Sequence, residues 1–225
     1  MYRGIAIILL ISIITLLSAC SGASTSEKIY DHLEKAVTAE KAFEKQQDDI
    51  VKLEKEEQKL YSQIIDLSMD EFDKIKSIAV EAIGVIDKRK EKIALEKESI
   101  EGSKEEFEKV KELIGELEKE KAKNKANKMY DVMMNRYDAY YTLNDAYAKS
   151  LKLEKELYTM LQKEDLKQET LTEHIKKINE SYKNVLAANK NFNAYTEKYN
   201  KLKKEFYKAA KIEVTYEKKA KKKNE

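Results

Sequence analysis

From Phe72 to Ile114 an apolar residue returns at every seventh position without a break: Phe72, Ala79, Ile86, Ile93, Ile100, Phe107 and Ile114. In a strand, side chains seven apart fall on opposite faces; in a helix they share one face. The spacing therefore specifies a long helix with a coiled-coil seam. Ile75, Ala82, Val110 and Leu117 support the seam three places on, at the d positions. The middle of that d series is polar: Arg89, Glu96 and Ser103. So narrow an apolar stripe is expected to meet one partner helix without filling a wide core. The chain contains no proline and only five glycines. A β-rich fold needs those residues at its turns, and their scarcity excludes it.

The rest of the chain repeats the pattern. Ile29, Ala36, Phe43, Ile50 and Ile64 step by sevens, with Glu57 as the gap and Leu53, Leu60 and Leu67 three places on. This predicts a first helix from about Glu27 to Leu67. Ser68 to Glu71 has the spacing of a capping box and predicts a tight turn before the second helix. A third series runs through Tyr130, Tyr137, Leu151 and Tyr158, with Asn144 between, beside Met133, Tyr140, Tyr147 and Leu161. Its phase differs from the second by two residues across Glu118 to Lys128. Either the chain turns there, as Asn124 and Asn127 favour, or one helix changes its packed face. The third helix ends near Lys163, and Asp165 is a plausible N-cap for a fourth. That helix carries Ile178, Val185, Phe192, Tyr199 and Phe206, with Ala188, Tyr195, Leu202, Ala209 and Tyr216 three places on. Short connections make neighbours antiparallel. The expected fold is all-α: an elongated up-and-down antiparallel four-helix bundle with coiled-coil-like seams. The alternative is three long helices, with residues 69–163 as one continuous central rod.

The amino terminus sets the expected location. Arg3 precedes an aliphatic run from Ile5 to Leu17, too short for a comfortable membrane span and suited to the apolar core of an export signal. The order Leu17-Ser18-Ala19-Cys20 resembles the bacterial lipobox. The resemblance implies cleavage between Ala19 and Cys20 and a diacylglyceryl group, with or without a further N-acyl chain, on the Cys20 thiol. Cys20 is the only cysteine, so no thiol would remain for a disulfide, a metal site or a nucleophile. The expected organisation is a signal peptide over 1–19, a lipidated terminus and linker over 20–26, a helical bundle over 27–217 and a basic tail over 218–225.

Little in the sequence suggests catalysis. His32 and His174 are the only histidines, and there is no Cys/His cluster, Gly-rich phosphate loop or G-x-S-x-G elbow. No catalytic residue, metal or free cofactor is expected. Charged residues make up 38% of the chain yet leave a net charge of only +2, so nucleic acid is not an expected partner. Eleven of the fourteen tyrosines lie at or after Tyr130. Most sit at heptad spacing and are expected in the core, with hydroxyls at the rim. Tyr141 and Tyr207 fall off the main seam. Together with Asn191 and Asn193 they form a candidate surface for sugar rings, which present C–H faces and hydroxyls. Lys221 and Lys222 in the tail are candidates for anionic lipid or teichoic acid.

Taken together, the "LSAC" motif, the mature length and the helical Lys/Glu/Tyr-rich body resemble the YkyA-type cell-wall-binding lipoproteins of Gram-positive bacteria. The resemblance implies anchoring through Cys20 to the bilayer, on the outer face of the cytoplasmic membrane. It implies a binding or scaffolding role, with peptidoglycan, teichoic acid or a membrane or wall protein as partner. A wall hydrolase is the second reading, and no motif in these residues supports it.

Overall fold

The computed structural model describes Ser12–Ile13 and residues 23–216. Four long helical rods form the bundle that the heptads predict. The first rod is α1 (Thr25–Ala39) followed by α2 (Lys41–Ile65). The second is α3 (Phe72–Glu108) followed by the short α4 (Val110–Gly115). The third is α5 (Glu120–Met160) and the fourth α6 (Gln168–Ala210). At 1.5 Å per residue, the 43 residues of α6 span about 65 Å. A two-residue antiparallel pairing of β1 (Ser12–Ile13) with β2 (Thr215–Tyr216) is the only strand structure among the described residues.

The chain does turn between the second and third rods, at residues 116–119, so the continuous-rod alternative is excluded. The turn comes earlier than the asparagines suggested: Asn124 and Asn127 lie inside α5. Leu117 is buried beneath it, and Lys123 Nζ donates to the Gly115 carbonyl at 2.8 Å.

Four helix ends differ from expectation. The first helix starts at Thr25, because Ser24 and Glu27 form a complete capping box. The Ser24 N–H donates to Glu27 Oε2 at 2.6 Å, and the Glu27 N–H donates to Ser24 Oγ at 3.3 Å. At Ser68 the serine side chain caps nothing; a short 3-10 turn, Met69–Glu71, leads into α3 instead. Asp165 is likewise not a cap, since Lys167 holds that position. The last helix stops at Ala210 rather than running to Tyr216. Lys211 takes a left-handed conformation (φ 62°), and the Ile212 N–H returns to the Tyr207 carbonyl at 3.0 Å. The Ser24 box has a direct test. Ser24→Ala removes the side-chain cap and is expected to cost about 1 kcal/mol in urea denaturation.

The break between α1 and α2 has a specific cause. A regular helix would bond the Phe43 N–H to the Ala39 carbonyl. Instead Ser99 of α3 inserts its hydroxyl, accepting from the Phe43 N–H at 3.0 Å and donating to the Ala39 oxygen at 2.6 Å. A side chain inserted into the ladder locally interrupts a helix. Glu40, at the interruption, is buried.

The apolar core falls into two parts along the rod. The half nearer Ser24 gathers Phe43, Phe107, Tyr137, Tyr140, Phe192 and Phe206 from all four rods. Its rings meet mostly edge to face, at centroid distances of 5.7–6.1 Å for Phe43 with Tyr140 and with Phe192, a favourable quadrupole arrangement. The far half is built on Ile64, Ala79, Ile86, Ile93, Leu151 and Tyr158; α6 supplies no member of this cluster, though its Ile178 is buried. There α6 lies along α5 instead. Both ends of the bundle's chain, Ser24 and Ala210, lie in the near half, because Tyr207 of α6 packs on Tyr30 of α1 at 5.4 Å.

Candidate functional site

The gaps in the heptads are not exposed. Arg89, Glu96 and Ser103 are buried (5%, 5% and 0% exposed). The second helix therefore buries a broader face than its apolar stripe suggested, and each polar d residue founds a polar layer across the bundle.

In the far half, the Arg89 layer assembles the gap residues of three seams: Glu57 from α2, Arg89 from α3 and Glu154 from α5. Arg89 Nη1 donates to both carboxylates, at 2.7 Å for Glu154 Oε2. Arg89 Nη2 donates to the Tyr147 hydroxyl at 2.7 Å, which in turn donates to Glu54 Oε1 at 2.7 Å. Ser150 donates to Glu154 Oε1 at 3.1 Å, and Ser181 of α6 donates to Ser150 at 3.3 Å. Burial, followed by the Glu154 carboxylate, pushes Glu57 up to about 7, against the pull of Arg89. Burial beside Glu154 also raises the Tyr182 phenol.

One level nearer Ser24 is the Glu96 layer. Gln47 Nε2 donates to Glu96 Oε1. Asn144, the gap in the third seam, donates to the Ile93 carbonyl at 3.1 Å. Burial pushes Glu96 up to about 8; the Gln47 bond opposes the shift and the Glu54 carboxylate adds to it.

The third layer centres on Arg136. Its Nη1 and Nη2 donate to Glu40 Oε1 and Oε2 at 2.7 and 2.8 Å, a bidentate pair with both partners buried. Nε donates to Thr196 Oγ1 at 2.9 Å, and Ser103 Oγ donates to Glu40 Oε1 at 2.9 Å. Arg136 also lies over the Phe192 ring, 4.8 Å from its centroid. Close by, Lys203 is buried between the rings of Tyr199 and Tyr207, 3.9 Å from Glu34. Burial lowers its ammonium below the ordinary lysine range. Sequence reasoning missed Glu40, Arg136 and Lys203. Glu40 and Arg136 flank the seams, at positions that are solvated rims in a two-stranded coil and interior in a four-rod bundle.

Chemically, these carboxyls are committed to Arg89, Arg136, the Gln47 amide and neighbouring hydroxyls inside the bundle. No group of three metal-ligating side chains occurs among the described residues. The two histidines bond within the fold: His32 Nδ1 lies 2.8 Å from Glu106 Oε1, and His174 Nε2 lies 2.7 Å from the Leu153 carbonyl. A surface groove of about 630 Å³ runs between α3 and α5, with Ile86 and Leu151 in its floor and Lys90 and Lys152 among its lining.

The predicted ligand surface is only partly assembled. Tyr207 is buried at 2% exposure, its hydroxyl donating to Glu34 Oε1 at 3.2 Å. It faces α1, which closes over the position that a two-helix seam would leave open. Tyr141 is half-buried, with Lys104 Nζ 5.6 Å from its ring centroid on the α3 side. Asn191 is exposed, and Asn193 is half-buried and donates to Asn189 Oδ1 at 3.0 Å. Tyr140 and Phe192, 5.8 Å apart, put these asparagines level with Tyr141 along the rod. Tyr182 (41% exposed) and Leu186 (68%) are exposed on the flank of α6 away from Asn191. Ala19, Cys20, Lys221 and Lys222 lie outside the described residues.

Residues 24–209 match a protein family described as "Putative cell-wall binding lipoprotein", YkyA. An uncharacterized lipoprotein, YkyA of Bacillus subtilis (strain 168), is 35% identical over 195 residues, covering 87% of each chain. The crystal structure of a conserved protein of unknown function from Staphylococcus aureus shares the fold. Its TM-score is 0.73 at 19% identity, covering 84% of this chain and 97% of that one. The family match begins at the capping serine, Ser24, and ends at the last turn of α6, so it spans the whole bundle: the chain belongs to the YkyA family of lipoproteins.

Proposed function

We propose that the protein is an extracytoplasmic module, anchored through a diacylglyceryl group on Cys20, that binds cell-wall polymer beside the membrane. The observation that carries this reading is the placement of the two chain ends. Ser24 begins α1 and Ala210 ends α6 in the same half of the rod. The lipid anchor and the lysine tail would therefore leave from one end, while the other end projects about 60 Å away. Four residues from Cys20 to Ser24 reach about 14 Å at most, so the near end would be held against the membrane. The tail, with Lys218, Lys219, Lys221, Lys222 and Lys223, would then lie beside anionic headgroups and teichoic acid, where each charge contributes about 1 kcal/mol. On α6 one exposed flank carries the amides of Asn184 and Asn191 and the other carries Tyr182 and Leu186, so amide and aromatic groups for sugar rings are offered on two flanks. The family's description as cell-wall binding agrees with this reading.

The test is co-sedimentation of the chain from Ser21 onward with purified sacculi, with and without teichoic acid, across a salt series. The expected result is binding whose salt-sensitive part disappears when residues 218–225 are removed. The salt-tolerant part should fall about tenfold in Asn184→Ala/Asn191→Ala, which removes the two exposed amides of one flank. Absence of binding to either preparation would overturn the wall-polymer reading and leave a membrane-protein partner.

A further inference from the structure

The three polar layers are not equally balanced. Near Ser24, Arg136 and Lys203 face Glu40 and Glu34, two cations against two carboxyls. In the far half, the Arg89 layer sets one guanidinium against Glu54 and Glu57 from α2 and Glu154 from α5. The remaining groups facing it are phenols: Tyr147 and Tyr158 of α5 and Tyr182 of α6. Next to this layer, Glu96 of α3 faces Gln47 and Glu54 of α2 and Tyr140 of α5, with no cation bonded to it. Two rim lysines of the same helices are engaged elsewhere, Lys92 with Asp49 and Lys155 with Asp87. Four carboxyls thus share one buried cation across α2, α3 and α5.

We propose that this surplus of buried carboxyls makes the far half of the bundle a proton-dependent clasp. With protons on Glu57 and Glu96, α2 closes on α3 and α5. When both groups ionise, repulsion among Glu54, Glu57, Glu96 and Glu154 loosens α2 from its neighbours, while the near half keeps its packing.

The protonation chemistry supports this window. Glu57 is held up to about 7 and Glu96 up to about 8, against an ordinary 4.5. The folded chain therefore keeps two protons that the unfolded chain releases near 4.5. Their contribution is complete below 4.5 and is lost as the pH rises through about 7 and 8. The far core offers less to offset the repulsion, because its main apolar cluster draws on three rods where the near one draws on all four.

Amide hydrogen exchange of the full chain in detergent micelles tests the idea, with rates corrected for intrinsic pH dependence and the near half as internal reference. Between about pH 6 and about pH 9, protection over residues 50–65 and 75–96 should fall at least tenfold relative to residues 100–117 and 192–207. The double variant Glu57→Gln/Glu96→Gln, which mimics the protonated state, should remove the difference. Carboxyl carbon NMR should give both glutamates titration midpoints well above the ordinary range. Equal pH responses in the two halves, an unchanged response in the double variant, or both carboxyls titrating near 4.5 would each overturn the proposal.

Discussion

Arg89→Met is expected to destabilise the protein by about 3–5 kcal/mol at about pH 8, measured by urea denaturation. Methionine fills much of the volume of the arginine stem, so the loss is not chiefly one of packing. The cost arises because Glu57 and Glu154 stay behind, 7% and 2% exposed, after their shared cation has gone. Breaking a buried ion pair from one side is costly because it strands an uncompensated charge. The same physics sets a pH dependence. Without Arg89, Glu57 loses the charge that opposes its upward shift and holds its proton to higher pH, while in the unfolded chain it releases it near 4.5. The native state then binds more protons than the unfolded state over a wider range, so stability falls more steeply with rising pH than in the parent. The penalty at about pH 5 should therefore be clearly smaller than at about pH 8. A pH-independent penalty would mean that the arginine acts through its stem, by packing alone.

Much of the architecture was legible from one number, the period of seven. The four series that begin at Ile29, Phe72, Tyr130 and Ile178 give four rods, and buried residues fall on those positions: Ile100 and Phe107 at 0% exposure, Phe206 at 0%. The turn between the second and third rods was legible as a phase slip and not in position, because a slip records only that the packed face has changed. Helix ends were less legible. Ser24 and Glu27 have the same spacing as Ser68 and Glu71, yet only the first pair closes its box. The far partner of Ser99 was invisible, since nothing local marks a serine that interrupts another helix sixty residues away.

The polar layers were half legible. Glu57, Arg89, Glu96 and Asn144 stood out as interruptions of their seams. Read one helix at a time, an interruption is a defect. In the bundle, Glu57, Arg89 and Glu154 arrive at one level from three helices, so the defects are mutual partners. Ser181 joins them from α6 through Ser150. Tyr207 failed for the converse reason. Its place off the seam of α6 faces a second neighbour, α1, so exposure inferred from one seam became burial between two.

Arg136→Met tests whether the near half answers to the same rule under a balanced charge count. Both oxygens of Glu40 are held by the guanidinium, and the pair is buried on both sides. Removing the arginine alone is expected to cost about 3–5 kcal/mol in urea denaturation, again by stranding a carboxylate. Here the partner can be neutralised without losing its neighbours: Glu40→Gln keeps an oxygen to accept from Ser103. The double variant Arg136→Met/Glu40→Gln should recover at least half of the loss, because a neutral buried group that keeps a hydrogen bond costs far less than a stranded charge. Such a coupling requires direct contact between the two sites. If the two substitutions simply add, the pair is not the element that fixes the near half. The stability would then reside in the aromatic packing of Phe43, Phe107 and Phe192, and Phe107→Ala, at about 3–5 kcal/mol for emptying a fully buried ring site, would become the larger effect.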